Sequence, residues 1–407
     1  MGKYEYIFFD LDGTLNDSGP GILNSFTYAI EQMGGKVEDR SQLKKFVGPP
    51  LRTSFEESLG YSPEDADKAI GFYREYYHGK GGRFECEIYP GIRELLAKLK
   101  NEGKKLIVVT SKNEYGAKVV LEHFELDQYF DFIAAANDAD RQHKTEVLAY
   151  AVEQAGVKEL SKAIMVGDRE NDITAARVVG MDSIGVLFGY GDEEELTTAG
   201  ATFLARSAEC IGRLIDGNAG VPSLEEAKAL LTEGAQMNPG PWEAHSYNVA
   251  KAAKLIASEC DGMDADKAYV LGLLHDIGRR NGVSFLAHVY DGYHFLKRLG
   301  YEEAARIALT HSFNTGHLED YVGKFDIDEE KQQELRQLLS ATEQNGYDYL
   351  IQLCDAVAMP EGIVSIEKRM TDVKTRHGYY PQEKWDRNIF LKEYFEKKMG
   401  RNLEELQ

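Results

Sequence analysis

The sequence predicts two joined architectures. The first is an α/β domain on a parallel sheet with helices on both faces; the second is all-α. Short apolar runs alternate with helix-periodic segments through the first half, the pattern of repeated βαβ units. Three of those runs end in polar clusters. Beyond about residue 220 the strand-like runs stop and helical spacing alone remains.

Tyr6–Phe9 reads as the first buried strand and ends in Asp10-Leu11-Asp12-Gly13-Thr14. Residues 19–78 read as helices, with Ile22, Phe26 and Ile30, then Leu51, Phe55 and Leu59 at three-to-four spacing. Among them Gly48-Pro49-Pro50-Leu51 reads either as a loop that reaches the site or as a plain interhelical turn. After Tyr89-Pro90-Gly91 the alternation begins. Helix Ile92–Asn101 precedes strand Leu106–Val109, which ends in Thr110-Ser111-Lys112-Asn113. A helix over about 115–123, a strand over 130–136 and a helix over 144–155 come next. Strand Ala163–Val166 ends in Gly167-Asp168-Arg169-Glu170-Asn171-Asp172. The last strands fall near 183–186 and 202–204.

The polar groups therefore collect at the carboxyl ends of three strands, where parallel sheets bind ligands. Asp10 and Asp12 are close like charges that invite a cation. With Asp168 and Asp172 they suit Mg²⁺. The Thr110 hydroxyl and Lys144, at the start of a helix, suit phosphoryl oxygens; Lys112, near Thr110, is the alternative cation. One aspartate of such a set can attack phosphorus while another protonates the leaving oxygen.

With these motifs in this order, residues 1–215 resemble the haloacid dehalogenase-like (HAD) phosphatases, in the style of phosphoglycolate phosphatases and nucleotidases. The motifs are DxDGT at Asp10–Thr14, a hydrophobic strand ending in Thr110, Lys144, and GDxxxD at Gly167–Asp172. The resemblance implies a Rossmann-like core over 1–15 and 86–215 and a mobile cap over 16–85. It implies that Asp10 forms an aspartyl-phosphate and that Asp12 is general acid, then base. Thr110 and Lys144 would bind the phosphoryl group, and Asp168 would hold Mg²⁺ with Asp10, supported by Asp172.

Residues 214–223, LIDGNAGVPS, read as a linker, with the boundary at 216–223 and Ser223 as the N-cap of the next helix. In the α domain, 224–407, helical spacing points His245, His275, His288 and His311 inward together with Asp276 and Asp355, whereas His294 falls on a polar side. A helix is expected over Ala268–Ile277. Burying so many titratable groups without a metal is costly, and His with carboxylate suits Zn, Mn, Fe, Co or Ni. The pattern His245, His275-Asp276, Asp355, with His275–Gly278 reading HDIG, resembles the HD-domain phosphohydrolases. The resemblance implies a first metal on those four residues and a second on His288 and His311. The family often has Lys after HDIG; this chain has Arg279-Arg280, which keeps the charge and alters the geometry.

Net charge is −21, against a role in non-specific nucleic-acid binding or at an anionic membrane surface. The four cysteines lack CxxC spacing and read as reduced thiols of a cytoplasmic protein, and a strand that starts within the first few residues reads as absence of a signal peptide. The expected function is a bifunctional phosphohydrolase acting on small phosphorylated metabolites or nucleotides. Its first half would cleave a phosphomonoester through Asp10, and its second a phosphoester with metal-activated water. The alternatives for the second half are a nucleotide-sensing regulatory module and a diiron oxygenase.

Overall fold

The computed structural model describes residues 3–47, 51–137, 139–217 and 220–406. The chain divides into two compact units, Met1–Asn218 and Ala219–Gln407.

Strand β1 (Tyr6–Phe9) is the centre of the first unit. Two short strands, β2 (Asn16–Asp17) and β3 (Glu87–Ile88), pair antiparallel as the stem from which the helical insert leaves and returns. The remaining strands are β4 (Lys105–Asn113), β5 (Phe132–Ala136), β6 (Ala163–Gly167), β7 (Asp182–Val186) and β8 (Phe203–Ala205). The main sheet has the order β5-β4-β1-β6-β7-β8, every pairing parallel. Phe8 lies opposite Ile107 on one side and Met165 on the other. Successive β1 side chains enter different cores. Ile7 and Phe9 join Leu106, Val108, Ile164 and Val166, whereas Phe8 joins Ile107, Val109 and Met165. Both faces are thus covered, which is why these strands read as continuous apolar runs. Each fully buried side chain of this kind contributes about 1.5–3 kcal/mol.

The insert has its own core around Phe26, whose ring centroid lies 5.0 Å from Phe46, 5.1 Å from Phe55 and 5.0 Å from Tyr73. Gly48-Pro49-Pro50 lies outside the described residues.

Three sequence expectations need correction. Strand β4 does not stop at Val109 but runs to Asn113, because Asn113 caps helix Glu114–His123 by accepting from the Gly116 N–H at 2.8 Å. Leu214–Asp216 are not linker. They complete helix Ala208–Asp216, whose Ile211 and Ile215 are fully buried, and Gly217 ends it at φ 69°. The helix expected through Ile277 stops at Leu274; His275 caps it and Ile277–Asn281 form a 3₁₀ turn.

The second unit is almost entirely helical; among the described residues its strands are the ribbon β9 (Ala358–Met359) and β10 (Gly362–Ile363). Ser223 opens helix Leu224–Met237 with a reciprocal cap, its Oγ accepting from Glu226 N–H while Glu226 accepts from Ser223 N–H. Among the described residues no helix is long and apolar enough to cross a membrane.

Candidate active sites

In the first unit, ligand atoms of Asp10, Asp168 and Asp172 lie within 4.8 Å of one another, all buried. They arrive from the ends of β1 and β6. The Asp10 N–H donates to Val166 O at 2.9 Å, locking the two strand ends together. Gly13 turns the chain at φ +85°, and a Cβ there would sit 2.1 Å from Asp168 Oδ2. Hence the glycine in Asp-x-Asp-Gly: the loop must pass against Asp168.

Lys144 donates to Asp10 Oδ1 at 2.5 Å and to Val109 O at 3.1 Å, and pairs with Asp172 Oδ1 at 2.8 Å. It enters the cluster, whereas Lys112 does not. Lys112 instead bonds to Asp12 Oδ2, with its ammonium 5.5 Å from the Tyr77 ring centroid of the insert. The Asp12 carboxylate is therefore held by Lys112, outside the group formed by Asp10, Asp168 and Asp172. Thr110 is buried beside the cluster's strand ends, and its Oγ1 accepts from Lys112 N–H at 3.1 Å. It caps no helix.

Burial pushes the Asp10 pKa up from 3.8 to about 7 against the pull of Lys144, and Asp172 and Asp12 add to the rise. Burial, then Asp10 and Asp172, raises Asp168 well above the ordinary carboxylate range. Three buried carboxylates sharing one lysine lack positive charge, so the donor set fits a hard divalent cation. The raised pKa also sets the sign of the pH dependence. In metal-free protein, Asp10 holds its proton more tightly folded than unfolded, so this group's contribution to stability falls as pH rises from about 4 to about 7. A divalent cation held by Asp10 would have to displace that proton at low pH. The thermal upshift on adding Mg²⁺ is therefore expected to be larger at pH 7.5 than at pH 5, as a melting series at both pH values would reveal; an equal upshift would exclude Asp10 from the cation site.

Arg169 was not singled out by sequence, although it lies inside Gly167–Asp172. Its Nη1 donates to Val47 O at 2.9 Å and its Nε to Glu195 at 2.8 Å. It ties the cluster's loop to the insert. Arg169→Ala is expected to raise KM by roughly tenfold, the scale of one charged hydrogen bond. It should also speed proteolytic cleavage in residues 40–58; unchanged cleavage would mean that this contact does not hold the insert.

In the second unit two groups of ligand atoms share Asp276: His245, His275 and Asp276, and Asp276, His288 and His311. Three of the histidines are oriented alike. The Nδ1–H of His275 donates to Gly272 O at 2.8 Å, that of His311 to Ala308 O at 2.9 Å, and that of His288 to Phe285 O. A carbonyl can only accept, so each neutral ring presents the Nε2 lone pair to the cluster. His275 Nε2 is buried with no hydrogen-bond partner among the described residues, and His288 Nε2 faces His311 Nε2 at 3.3 Å. Burial lowers the pKa of His275 to about 4 and that of His288 as well, keeping both neutral. The unpartnered His275 Nε2 and the Nε2 atoms of His288 and His311, converging on a buried carboxylate, fit transition-metal ligation. Burial opposes the charge of Asp276, but the Arg279 guanidinium beside it outweighs burial and holds the carboxyl well below the ordinary carboxylate range.

Asp355, expected as a ligand of the first metal, accepts from His245 Nε2 at 2.9 Å and belongs to neither group. Of the paired arginines, Arg279 serves the site, donating to Asp276 Oδ2 at 2.7 Å and Ser284 O at 3.1 Å. Arg280 points elsewhere, to Glu233 at 3.3 Å and the Phe295 ring. Gly278 packs where a Cβ would meet His288 O at 2.0 Å, so the HDIG glycine lets the turn touch the His288 helix. The cluster opens into a cavity of about 660 Å³, lined by His245, Asp276, His288, His311 and Asp355.

Comparison with known proteins agrees with both halves. The family model described as haloacid dehalogenase-like hydrolase matches residues 7–186, and that of the HD domain matches residues 242–359. A 5'-nucleotidase of Pseudomonas aeruginosa is 36% identical over 195 residues, 48% of this chain and 87% of that protein. The chain belongs to the haloacid dehalogenase-like hydrolases. Its second half carries an HD domain. The tyrosine-protein kinase PtkA of Mycobacterium tuberculosis is also 36% identical, over 50% of this chain and 69% of that protein. A crystal structure of a candidate phosphatase from Clostridium difficile is 41% identical, with TM-score 0.50, and the match covers 53% of this chain and all of that one. Each half of the HAD–HD chain thus bears the side-chain cluster of a hydrolase site, one aspartate-rich and consistent with aspartyl-phosphate chemistry, the other of histidine and aspartate.

Proposed function

We propose that the first half is a Mg²⁺-dependent phosphomonoesterase and the second a transition-metal phosphohydrolase (Mn, Fe, Co, Ni or Zn). Both would act on small phosphorylated metabolites or nucleotides in the cytoplasm. The observation that carries the first assignment is the Asp10–Lys144–Asp172 bridge. It presents one carboxylate at a strand end with a cation positioned for phosphoryl oxygens. Because relatives of equal identity bear the names of a nucleotidase and a kinase, the reading rests on the site.

In this reading Asp10 Oδ attacks phosphorus and the ester P–O bond breaks. The leaving oxygen takes a proton from Asp12. Asp12 then removes a proton from water, whose oxygen displaces the phosphate and restores the Asp10 carboxylate. Lys144 and Thr110 hold the phosphoryl oxygens, and Lys112 positions Asp12. Mg²⁺ on Asp10, Asp168 and Asp172 would neutralise charge on the transferring group.

In the second half, hydrolysis breaks an ester P–O bond, forms one to a water oxygen, and leaves a proton on the departing alcohol. His245, His275, Asp276, His288 and His311 are the proposed ligands, with Asp355 orienting His245. Bound there, a divalent transition metal supplies Lewis-acid activation of water. The insert over 16–85 acts as a cap on the first site, over a core of 1–15 and 86–215. The test is a phosphoester panel run on the full chain with Mg²⁺ or Mn²⁺. Asp10→Asn should remove one set of activities and Asp276→Ala the other; loss of both sets in a single variant would refute independent sites.

A further inference from the structure

The HD match ends at residue 359, yet much of the cavity wall comes from beyond it. Helices Ile366–His377 and Gln382–Met399 contribute Arg369, Arg376, Lys384 and Asn388, and the turn between them contributes Tyr380. We infer that these two helices form the substrate receptor of the second site, with Lys384 gripping the phosphate of a mononucleotide-sized ester. The inference rests on the phosphohydrolase reading of that site.

Charge matching singles out Lys384. Arg279 is neutralised by Asp276 at 2.7 Å. Arg369 lies 3.5 Å from Asp372 and 3.9 Å from Asp355, and Arg376 lies 2.9 Å from Asp372. Lys384 donates only to a neutral group, Ser312 O at 2.5 Å, and has no carboxylate within 4.0 Å among the described residues. It is half-buried, and burial lowers its pKa to about 8 against the more distant pull of Asp355 and Asp320, so an anion in direct contact within the cavity would supply the close counter-charge it lacks. Ser312 follows His311 in the chain, and Lys384, Ser312 and His311 line the same cavity, in which a phosphate on its way to the candidate metal cluster would sit.

The lysine is also fixed in place. Asn314, 6% exposed, donates to Lys384 O at 3.1 Å and to Asn388 Oδ1 at 2.7 Å. Asn388, 3% exposed, donates to the Tyr380 hydroxyl at 2.9 Å. This network ties the start of the last helix to the segment just after His311. A buried amide network of this kind holds a binding group at a set distance from the chemistry. The rest of the wall includes Trp242, Phe285, Met370 and Val373, which suit the carbon-rich part of an ester. A volume near 660 Å³ lies within the roughly 300–1,000 Å³ of small-ligand sites.

The test uses the full chain carrying Asp10→Asn, loaded with Mn²⁺, titrated with orthophosphate and assayed on adenosine 5'-monophosphate. Lys384→Gln is expected to weaken orthophosphate binding and raise KM, each by roughly tenfold, with kcat changed by less than about threefold and metal content unchanged. Lys384→Arg should restore most of the affinity. The proposal is overturned if orthophosphate fails to bind the parent, or if Lys384→Gln binds it as well as the parent. Loss of metal in Lys384→Gln also overturns it, by making the residue structural. If orthophosphate binding depends on Lys384 but adenosine 5'-monophosphate and other esters are not turned over, the receptor stands and the hydrolase reading fails. If Lys384 is dispensable while His275→Ala abolishes turnover, the hydrolase stands and the receptor fails.

Discussion

Asp10→Asn is expected to cut Mg²⁺-dependent phosphomonoester hydrolysis by about a thousandfold or more, as loss of a covalent nucleophile does. The amide keeps the shape of the side chain and can still accept from Lys144, but it offers no anionic oxygen to phosphorus. Stability should move the other way. Burial and the neighbouring carboxylates push the Asp10 pKa to about 7, so its charge at pH 7.5 is held against desolvation and repulsion. Removing that charge leaves Lys144 paired with Asp172 at 2.8 Å. Metal-free Asp10→Asn protein should therefore melt no lower than the parent, the signature of a site whose strain serves function. Its Mg²⁺-induced upshift should shrink. Kinetics on a phosphomonoester, with melting curves at pH 7.5 with and without Mg²⁺, check both halves. A variant that keeps more than about a tenth of the parent rate sinks the nucleophile assignment.

That site was legible in sequence because its parts are local. Asp10, Thr110 and Asp168 each sit at the end of an apolar run, and such a run marks where the buried part of a strand gives way to polar residues, although β4 itself continues to Asn113. The inward histidines were legible for the same reason, since helical spacing fixes which side a residue faces. What escaped depends on meetings between distant elements. Lys112 lies two residues from Thr110, and nothing local tells that its ammonium turns to Asp12 and Tyr77 while Lys144 enters the cluster. Arg169 sits within a recognised motif, but its partner Val47 belongs to the insert. Lys384 carries no motif; its meaning comes from being the cavity cation without a carboxylate partner among the described residues. Helix ends were misplaced where a side chain ends the helix against its apolar pattern. His275 does this after Leu274, and Asn113 does the reverse by prolonging a strand.

Asp276→Ala should have the larger effect of any single change in the second unit, because Asp276 is the carboxylate common to both ligand groups. His288→Ala removes one donor from one group and leaves His245, His275 and Asp276 intact. Metal per chain should accordingly fall part-way in His288→Ala and to near zero in Asp276→Ala. The affinity loss should exceed the roughly 10–100-fold that accompanies loss of a second-sphere partner alone. The substitution also takes from Arg279, which is half-buried, its carboxylate partner at 2.7 Å and leaves it the hydrogen bond to Ser284 O at 3.1 Å, and losing the partner of a partly buried cation costs on the order of 1–3 kcal/mol. Two causes then lower stability, and they separate by titration. Adding Mn²⁺ should raise the melting temperature of the parent and not of Asp276→Ala, whereas the Arg279 penalty persists with or without metal. Asp276→Ala combined with Arg279→Met should recover the second loss and not the first. Full metal content in Asp276→Ala would remove the shared-carboxylate assignment. Iron in the parent with O₂ consumed on substrate addition would move the second half from hydrolysis to oxygenation, leaving the ligand set and its histidine orientation as described.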